Sequence, residues 1–271
     1  MYKREDFELI CPHGYVIKCS YFDNFYDSKV SKSCVLYLHG NSSSRLESYQ
    51  IIDSILPLNI SVMAFDYPGC GLSEGDWVSL GFYEREDSEK IIYFLKKNKG
   101  ITRILLWGRS MGASISIMLS ENKSNMIAAI VADSPYANLK RLCLELGNKK
   151  SILVKYIFER AWNFMREKIQ KAYKFNIDEL DVIQYAKRGS VPILLICSKD
   201  DEIVSQEHSK EIYKFYRCEE KDLMIIGGSH NMGRDKGLVK IGADFLWNQN
   251  QRIRDAEAII NYRSQKRLSI E

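Results

Sequence analysis

The chain has 271 residues, is 45% hydrophobic, and carries 39 Lys/Arg against 35 Asp/Glu for a net charge of +4. This predicts one large α/β domain with a sizeable core, and no Pro/Gly/Ser-rich stretch or charge block supplies a linker to a second. So balanced a charge argues against a nucleic-acid partner, and no apolar run approaches the length of a membrane span.

Seven cysteines, at 11, 19, 34, 70, 143, 197 and 218, are scattered without a C-x-x-C pair. The pattern predicts free thiols in a reducing compartment rather than a disulfide framework. The polar opening Met-Tyr-Lys-Arg-Glu-Asp lacks the character of a signal peptide, and Tyr2 stands where myristoylation needs glycine. The expected location is cytoplasmic.

In chain order, 7–10 and 15–22 read as a hairpin-like pair around Pro12-His13-Gly14. Residues 33–38 form the first strong core strand, followed by a helix over about 45–56 and a strand over 60–65. A helix over 80–98 ends at charged residues and Gly100. The strand 101–107 then runs into Gly108-Arg-Ser110-Met-Gly112 and a small-residue helix over 113–119. Strands follow at 127–132, 191–197 and 223–226, with helices near 205–216 and through Trp247. From about Gln251 the chain is a charged tail, helical or frayed.

Between two of these strands lies a compositional anomaly. Residues 139–175 hold ten Lys/Arg against three acidic residues, interleaved with Ile152, Leu153, Tyr156, Ile157, Trp162, Phe164, Met165 and Ile169. That is helical periodicity with a basic outer face. The plain reading is a helical cap with solvated lysines. The sharper one is a lid over the site whose basic face meets anionic membrane or an acidic substrate.

Gly-x-Ser-x-Gly between a strand and a helix carries the chemistry. A sharp strand-to-helix turn strains Ser110 and lifts its Oγ above the sheet, and the helix N-terminus beneath favours developing negative charge. A serine nucleophile needs a base and an orienting carboxylate. Of four histidines, His230 in Gly-Gly-Ser-His-Asn follows the last strand and is the expected base. His39 more plausibly braces its turn, and His13 and His208 read as surface residues.

The acid is expected after the strand 191–197, where Asp200, Asp201 and Glu202 compete. Asp201 is favoured because Asp-x-x-Val lets Val204 anchor the loop while the carboxylate points inward. Asp133 is an outside candidate whose expected task is fixing the turn at Ser134-Pro135. Oxyanion donors are expected at the Met111 N–H and in His39-Gly40-Asn41-Ser42, with Asn41 first and Ser42 its neighbour. No metal-ligand spacing is present and the chemistry asks for no cofactor.

Leu-His-Gly-Asn (38–41), Phe-Asp-Tyr-Pro-Gly-Cys-Gly-Leu-Ser (65–73), Gly-Arg-Ser-Met-Gly (108–112), Ala-Asp-Ser-Pro-Tyr (132–136), Asp-Asp-Glu-Ile-Val (200–204) and Gly-Ser-His-Asn (228–231) occur in that order. Over about residues 5–248 the chain resembles the α/β-hydrolase superfamily. Within it, the chain is most similar to the serine-aminopeptidase-like branch that includes the α/β-hydrolase-domain protein depalmitoylases. The resemblance implies a mostly parallel sheet with helices on both faces, a triad of Ser110, Asp201 and His230, and an oxyanion hole at Asn41 and Met111. It also implies a single domain over 1–250, with a helical lid over 135–190 after the strand ending near Ala132, and the tail 251–271. The depalmitoylases carry an N-terminal cysteine cluster; here Cys11 and Cys19 are isolated.

The expected activity is cleavage of carboxylic esters or thioesters, with long-chain or lipid-like acyl groups suggested by the aromatic, basic lid. A small-peptide hydrolase would need acidic groups for the substrate amine, for which Asp178, Glu179 and Asp181 form the one cluster in the lid. A non-catalytic scaffold on the same fold is the third reading.

Overall fold

The computed structural model describes residues 2–24, 32–121, 126–147 and 152–268. Positions 148–151 of the expected lid, the side chains of Ile152 and Leu153, and the last three residues of the tail lie outside the described residues.

Eight strands form one sheet: β1 (Tyr2–Ile10), β2 (Val16–Asn24), β3 (Ser33–Leu38), β4 (Ser61–Phe65), β5 (Arg103–Arg109), β6 (Ile127–Asp133), β7 (Ile193–Ser198) and β8 (Lys221–Ile226), in the order β1-β2-β4-β3-β5-β6-β7-β8. β1 and β2 pair antiparallel, β2 meets β4 antiparallel, and every pairing from β4 through β8 is parallel. The first strand begins at Tyr2 rather than Phe7 because 2–10 pairs residue for residue with 16–24.

The parallel strands are near-continuous apolar runs because both faces are covered. Along β3, Cys34, Leu36 and Leu38 enter one core while Val35 and Tyr37 enter the other; β5 repeats this with Ile104 and Leu106 against Leu105 and Trp107. The first core is closed by α2 (Phe82–Asn98), α3 (Met111–Met118), α6 (Val182–Ala186) and α7 (Gln206–Phe215); the second by α1 (Tyr49–Ile55) and α8 (Lys236–Leu268). All seven cysteines are free thiols, Cys34 and Cys197 among those buried.

Between β6 and β7 the chain leaves the sheet to form α4 (Leu139–Leu146) and α5 (Ile152–Tyr173) before α6. Phe158 and Trp162 give α5 its buried face, and the Trp162 Nε1–H donates to Asp178 at 2.7 Å. The final helix runs well beyond Trp247. Ile253 packs on the second core, and Arg252–Glu220 and Arg103–Glu257 pairs at 2.8 and 2.7 Å tie the continuation down. Among the described residues no helix is long and apolar enough to cross a membrane, and no group of three or more His, Cys, Asp or Glu is placed to hold a metal.

Candidate active site

Ser110 sits between β5 and α3 at φ 52° and ψ −114°, in the left-handed half of the map that a serine rarely occupies. Close packing explains the two flanking glycines. A Cβ on Gly108 would lie 2.2 Å from the Gly112 carbonyl oxygen, and one on Gly112 would lie 1.9 Å from that of Leu38. Any larger residue would push α3 off the end of β3. Ser42 and Leu80, also at positive φ, line the same cavity.

The His230 Nε2 is 3.0 Å from Ser110 Oγ, and its Nδ1 is 2.7 Å from Asp201 Oδ2. The other oxygen of Asp201 accepts the N–H groups of Ile203 and Val204 at 2.9 and 2.7 Å, and Val204 is buried. Burial alone would raise the Asp201 carboxyl, but the hydrogen bonds from His230 and from the Val204 N–H outweigh it and hold the group below the usual carboxylate value. Asp201 therefore remains an acceptor, which requires the Nδ1–H tautomer of His230 and leaves Nε2 free to take the serine proton.

The competing acids have tasks of their own on the histidine loop. Asp200 accepts the Gly228 N–H at 3.2 Å, and Glu202 accepts the backbone N–H of His230 at 3.1 Å. Asp133 is gripped by Arg234 at 2.7 and 2.8 Å, with the Ser134 hydroxyl donating to it at 3.1 Å. It ties the histidine loop to the end of β6 instead of bracing the turn through backbone bonds, because Arg234 offers a charged fork that no backbone amide can match.

His39 accepts the Tyr67 N–H on Nε2 at 3.2 Å, so its Nδ1–H donates to the Gly40 carbonyl at 2.7 Å. Burial lowers its proton affinity, and it is a neutral brace. His208 is fully buried, contrary to the surface position expected for it. Nδ1 accepts the Ala137 N–H at 3.0 Å and Nε2 donates to Glu145 at 3.1 Å, so it pins α4 to α7. Its neighbours on a polar-looking helix start gave no hint of this, since the partners come from distant segments. His13 lies near the surface, paired with Glu86 at 3.1 Å.

Asn41 and Met111 both line the cavity beside Ser110. Met111 opens α3, so its N–H is among the first-turn donors that have no partner within the helix. The cavity encloses about 610 Å³, and its lining includes Leu139, Leu142 and Leu146 of α4 together with Ile203 and Val204. The acidic cluster expected to serve a substrate amine is not in this wall. Asp178 is taken by Trp162 and Arg166, and Asp181 caps α6.

One side chain of the site went unread in the sequence. Arg109, the first variable residue of Gly-x-Ser-x-Gly, is 9% exposed, and its Nη2 donates to the carbonyls of His230 and Met232 at 2.9 Å each. Its Nη1 lies 3.6 Å from Glu47, which accepts the Gly40 N–H at 3.0 Å. The nucleophile turn, the histidine loop and the Gly40 turn thus share one buried charge network. An arginine at a variable position inside a strand is the only trace that this leaves in sequence.

A sequence model described as the alpha/beta hydrolase fold matches residues 34–175, more than half of the chain. The chain therefore belongs to the α/β-hydrolase family. It is 27% identical over 232 residues to the protein ABHD12B of Homo sapiens, a match covering 79% of this chain and 60% of the human protein. It is 25% identical over 257 residues to YqkD of Bacillus subtilis, covering 91% and 83%. Among solved structures, an esterase of Pyrococcus furiosus, Pf2001, superposes with a TM-score of 0.71 at 22% identity over 93% of each chain.

Proposed function

We propose that the protein is a serine hydrolase that cleaves carboxylic esters or thioesters through an acyl-enzyme. The observation that carries this reading is the unbroken relay Ser110–His230–Asp201 at 3.0 and 2.7 Å, opening onto a cavity whose lining includes Leu139, Leu142, Leu146, Ile203 and Val204. Ser110 Oγ attacks the acyl carbon while His230 Nε2 takes its proton. Asp201 orients the ring and stabilises its charged form. The N–H groups of Asn41 and Met111 receive the oxyanion, each worth about 100-fold or more in turnover. The alcohol or thiol leaves with the proton from His230. Water activated by the same nitrogen then releases the acid.

The leucines of α4 and the size of the cavity support an acyl chain as the group bound, and α4 and α5 act as its lid. That the similar Pyrococcus furiosus protein is an esterase agrees with the reaction class. Engagement of Asp178 and Asp181 elsewhere disfavours a peptidase that holds a substrate amine. The outer face of α5 exposes Tyr156, Ile157 and Phe164 among Arg160 and Lys168, which supports peripheral contact with anionic membrane. Seven free thiols support a reducing, cytoplasmic setting.

The test is a series of p-nitrophenyl esters from acetyl to palmitoyl, with matching acyl thioesters, assayed on wild type and Ser110→Ala. Hydrolysis lost in the variant and rising with chain length is the expected result. Equal rates in both proteins would overturn the mechanism. A short-chain optimum would remove the lipid-like substrate while leaving the mechanism standing.

A further inference from the structure

A second cavity, of about 380 Å³, lies away from Ser110, where the end of α5 meets the start of α2 and the β1–β2 turn. Its walls are aromatic. Trp77 stands with its ring centre 4.6 Å from Tyr173 and 5.8 Å from Tyr83, and Tyr83 in turn meets the His13 ring at 4.3 Å. Such faces carry negative electrostatic potential and attract weakly hydrated cations.

The wall also holds two carboxylates. Glu84 is fully occupied as a helix cap, accepting the N–H groups of Ser79 and Gly81 at 2.6 and 2.8 Å as well as the Ser79 hydroxyl. Asp87 is not. It is 1% exposed, and its Oδ1 is buried without a hydrogen-bond partner among the described residues. Burial first, and then the charge of Glu84, push its carboxyl up to about 7, with the Cys11 thiol offering a weak compensating hydrogen bond. The nearby cations are committed or peripheral. His13 pairs with Glu86 at 3.1 Å, and the exposed Lys174 donates to the Lys171 carbonyl at 2.9 Å.

Packing between α5 and α2 accounts for the rings, but it gives no purpose to a buried carboxylate with one oxygen left without a hydrogen-bond partner among the described residues. We propose that this cavity is a binding site for an alkylammonium cation of the quaternary type, resting in the cavity against the aromatic wall formed by Trp77, Tyr83 and Tyr173, with Asp87 in the same wall supplying the counter-charge. A quaternary ammonium needs no hydrogen bond, which suits a carboxylate that lines the cavity while being almost wholly buried. It also spreads its charge over methyl groups of a size that aromatic faces accept. The site is independent of the hydrolase reading, since none of its residues touches the Ser110 cavity.

The probe is choline chloride, titrated at constant ionic strength against its uncharged carbon isostere 3,3-dimethylbutan-1-ol, with tryptophan fluorescence and thermal shift as readouts. The expected result is saturable binding of choline, at least tenfold tighter than the alcohol. Asp87→Asn should weaken it at least tenfold while still melting cooperatively, and Trp77→Phe should both weaken it and remove most of the fluorescence change. A parallel titration with short-chain phosphatidylcholine below its micelle concentration separates a free cation from a lipid headgroup: binding tighter than choline assigns the headgroup, and weaker binding the free cation. Equal binding of choline and the alcohol, no saturable response, or Asp87→Asn binding as wild type does would overturn the proposal.

Discussion

Asp201 and Asp87 are both buried carboxylates, and their surroundings send them in opposite directions. Asp201 receives the His230 ring and two backbone N–H groups and is held below the usual value. Asp87 is close to Glu84, has one oxygen without a partner among the described residues, and is pushed up to about 7. Burial penalises both; the partner decides the sign. Around Ser110 every acid of the 200–202 run is spent on fixing the histidine loop. In the aromatic cavity a charge is left unbalanced. The first arrangement suits a site that must act in one geometry, the second a site that is completed by what it binds.

The largest effect is expected from Asp201→Asn. The amide still reaches His230 but stabilises the wrong tautomer and cannot support the imidazolium, so kcat for ester hydrolysis should fall about 10⁴-fold with KM little changed. A loss below about tenfold would mean that Asp201 does not serve the histidine. Next is Arg109→Met, which removes the bonds to the His230 and Met232 carbonyls and takes the neighbouring cation from Glu47. Misplacement of the loop by a fraction of an ångström should cost about 10- to 100-fold in kcat, with labelling of Ser110 by reactive probes slowed in proportion. Normal turnover would show that Arg234 alone suffices.

Asp87→Asn should act on stability with the opposite sign. With its folded value near 7 and its unfolded value near 3.8, Asp87 binds more protons in the folded state between those limits. Its presence therefore costs stability progressively as pH rises from about 4 to 7, and the full cost is felt at pH 8. The variant should melt about 4 °C or more above wild type at pH 8 and close to it at pH 4. A melting temperature unchanged at pH 8 would mean that Asp87 has a partner in solution. A smaller effect is expected at His208, whose proton affinity is lowered chiefly by burial. The unfolded chain binds that proton more readily, so stability should fall as pH drops below about 6.5. His208→Gln should flatten the slope of melting temperature between pH 6.5 and 5.

Local pattern made much of this legible. Apolar runs of five to seven residues between turns announced β3 through β7, because parallel strands are covered on both faces. Gly-x-Ser-x-Gly pointed to Ser110, and the order of acid and histidine pointed to Asp201 and His230, since each follows its strand directly. Charge networks closed by tertiary contacts were not legible. Arg109 meets residues more than a hundred positions away, Arg234 reaches back to Asp133, and His208 looked like a surface residue because Ala137 and Glu145 come from another part of the chain. The tail was ambiguous for the same reason: its sequence permits a helix, but Glu220 and Arg103 decide where it docks.

Covalent labelling tests, without a choice of substrate, whether Ser110 is activated. Purified wild type and Ser110→Ala are treated with a fluorophosphonate probe and the labelled protein is read on a gel. Labelling of wild type at a single site that disappears in Ser110→Ala is the predicted result. Equal labelling of both proteins, or of neither, would mean that Ser110 is not an activated nucleophile.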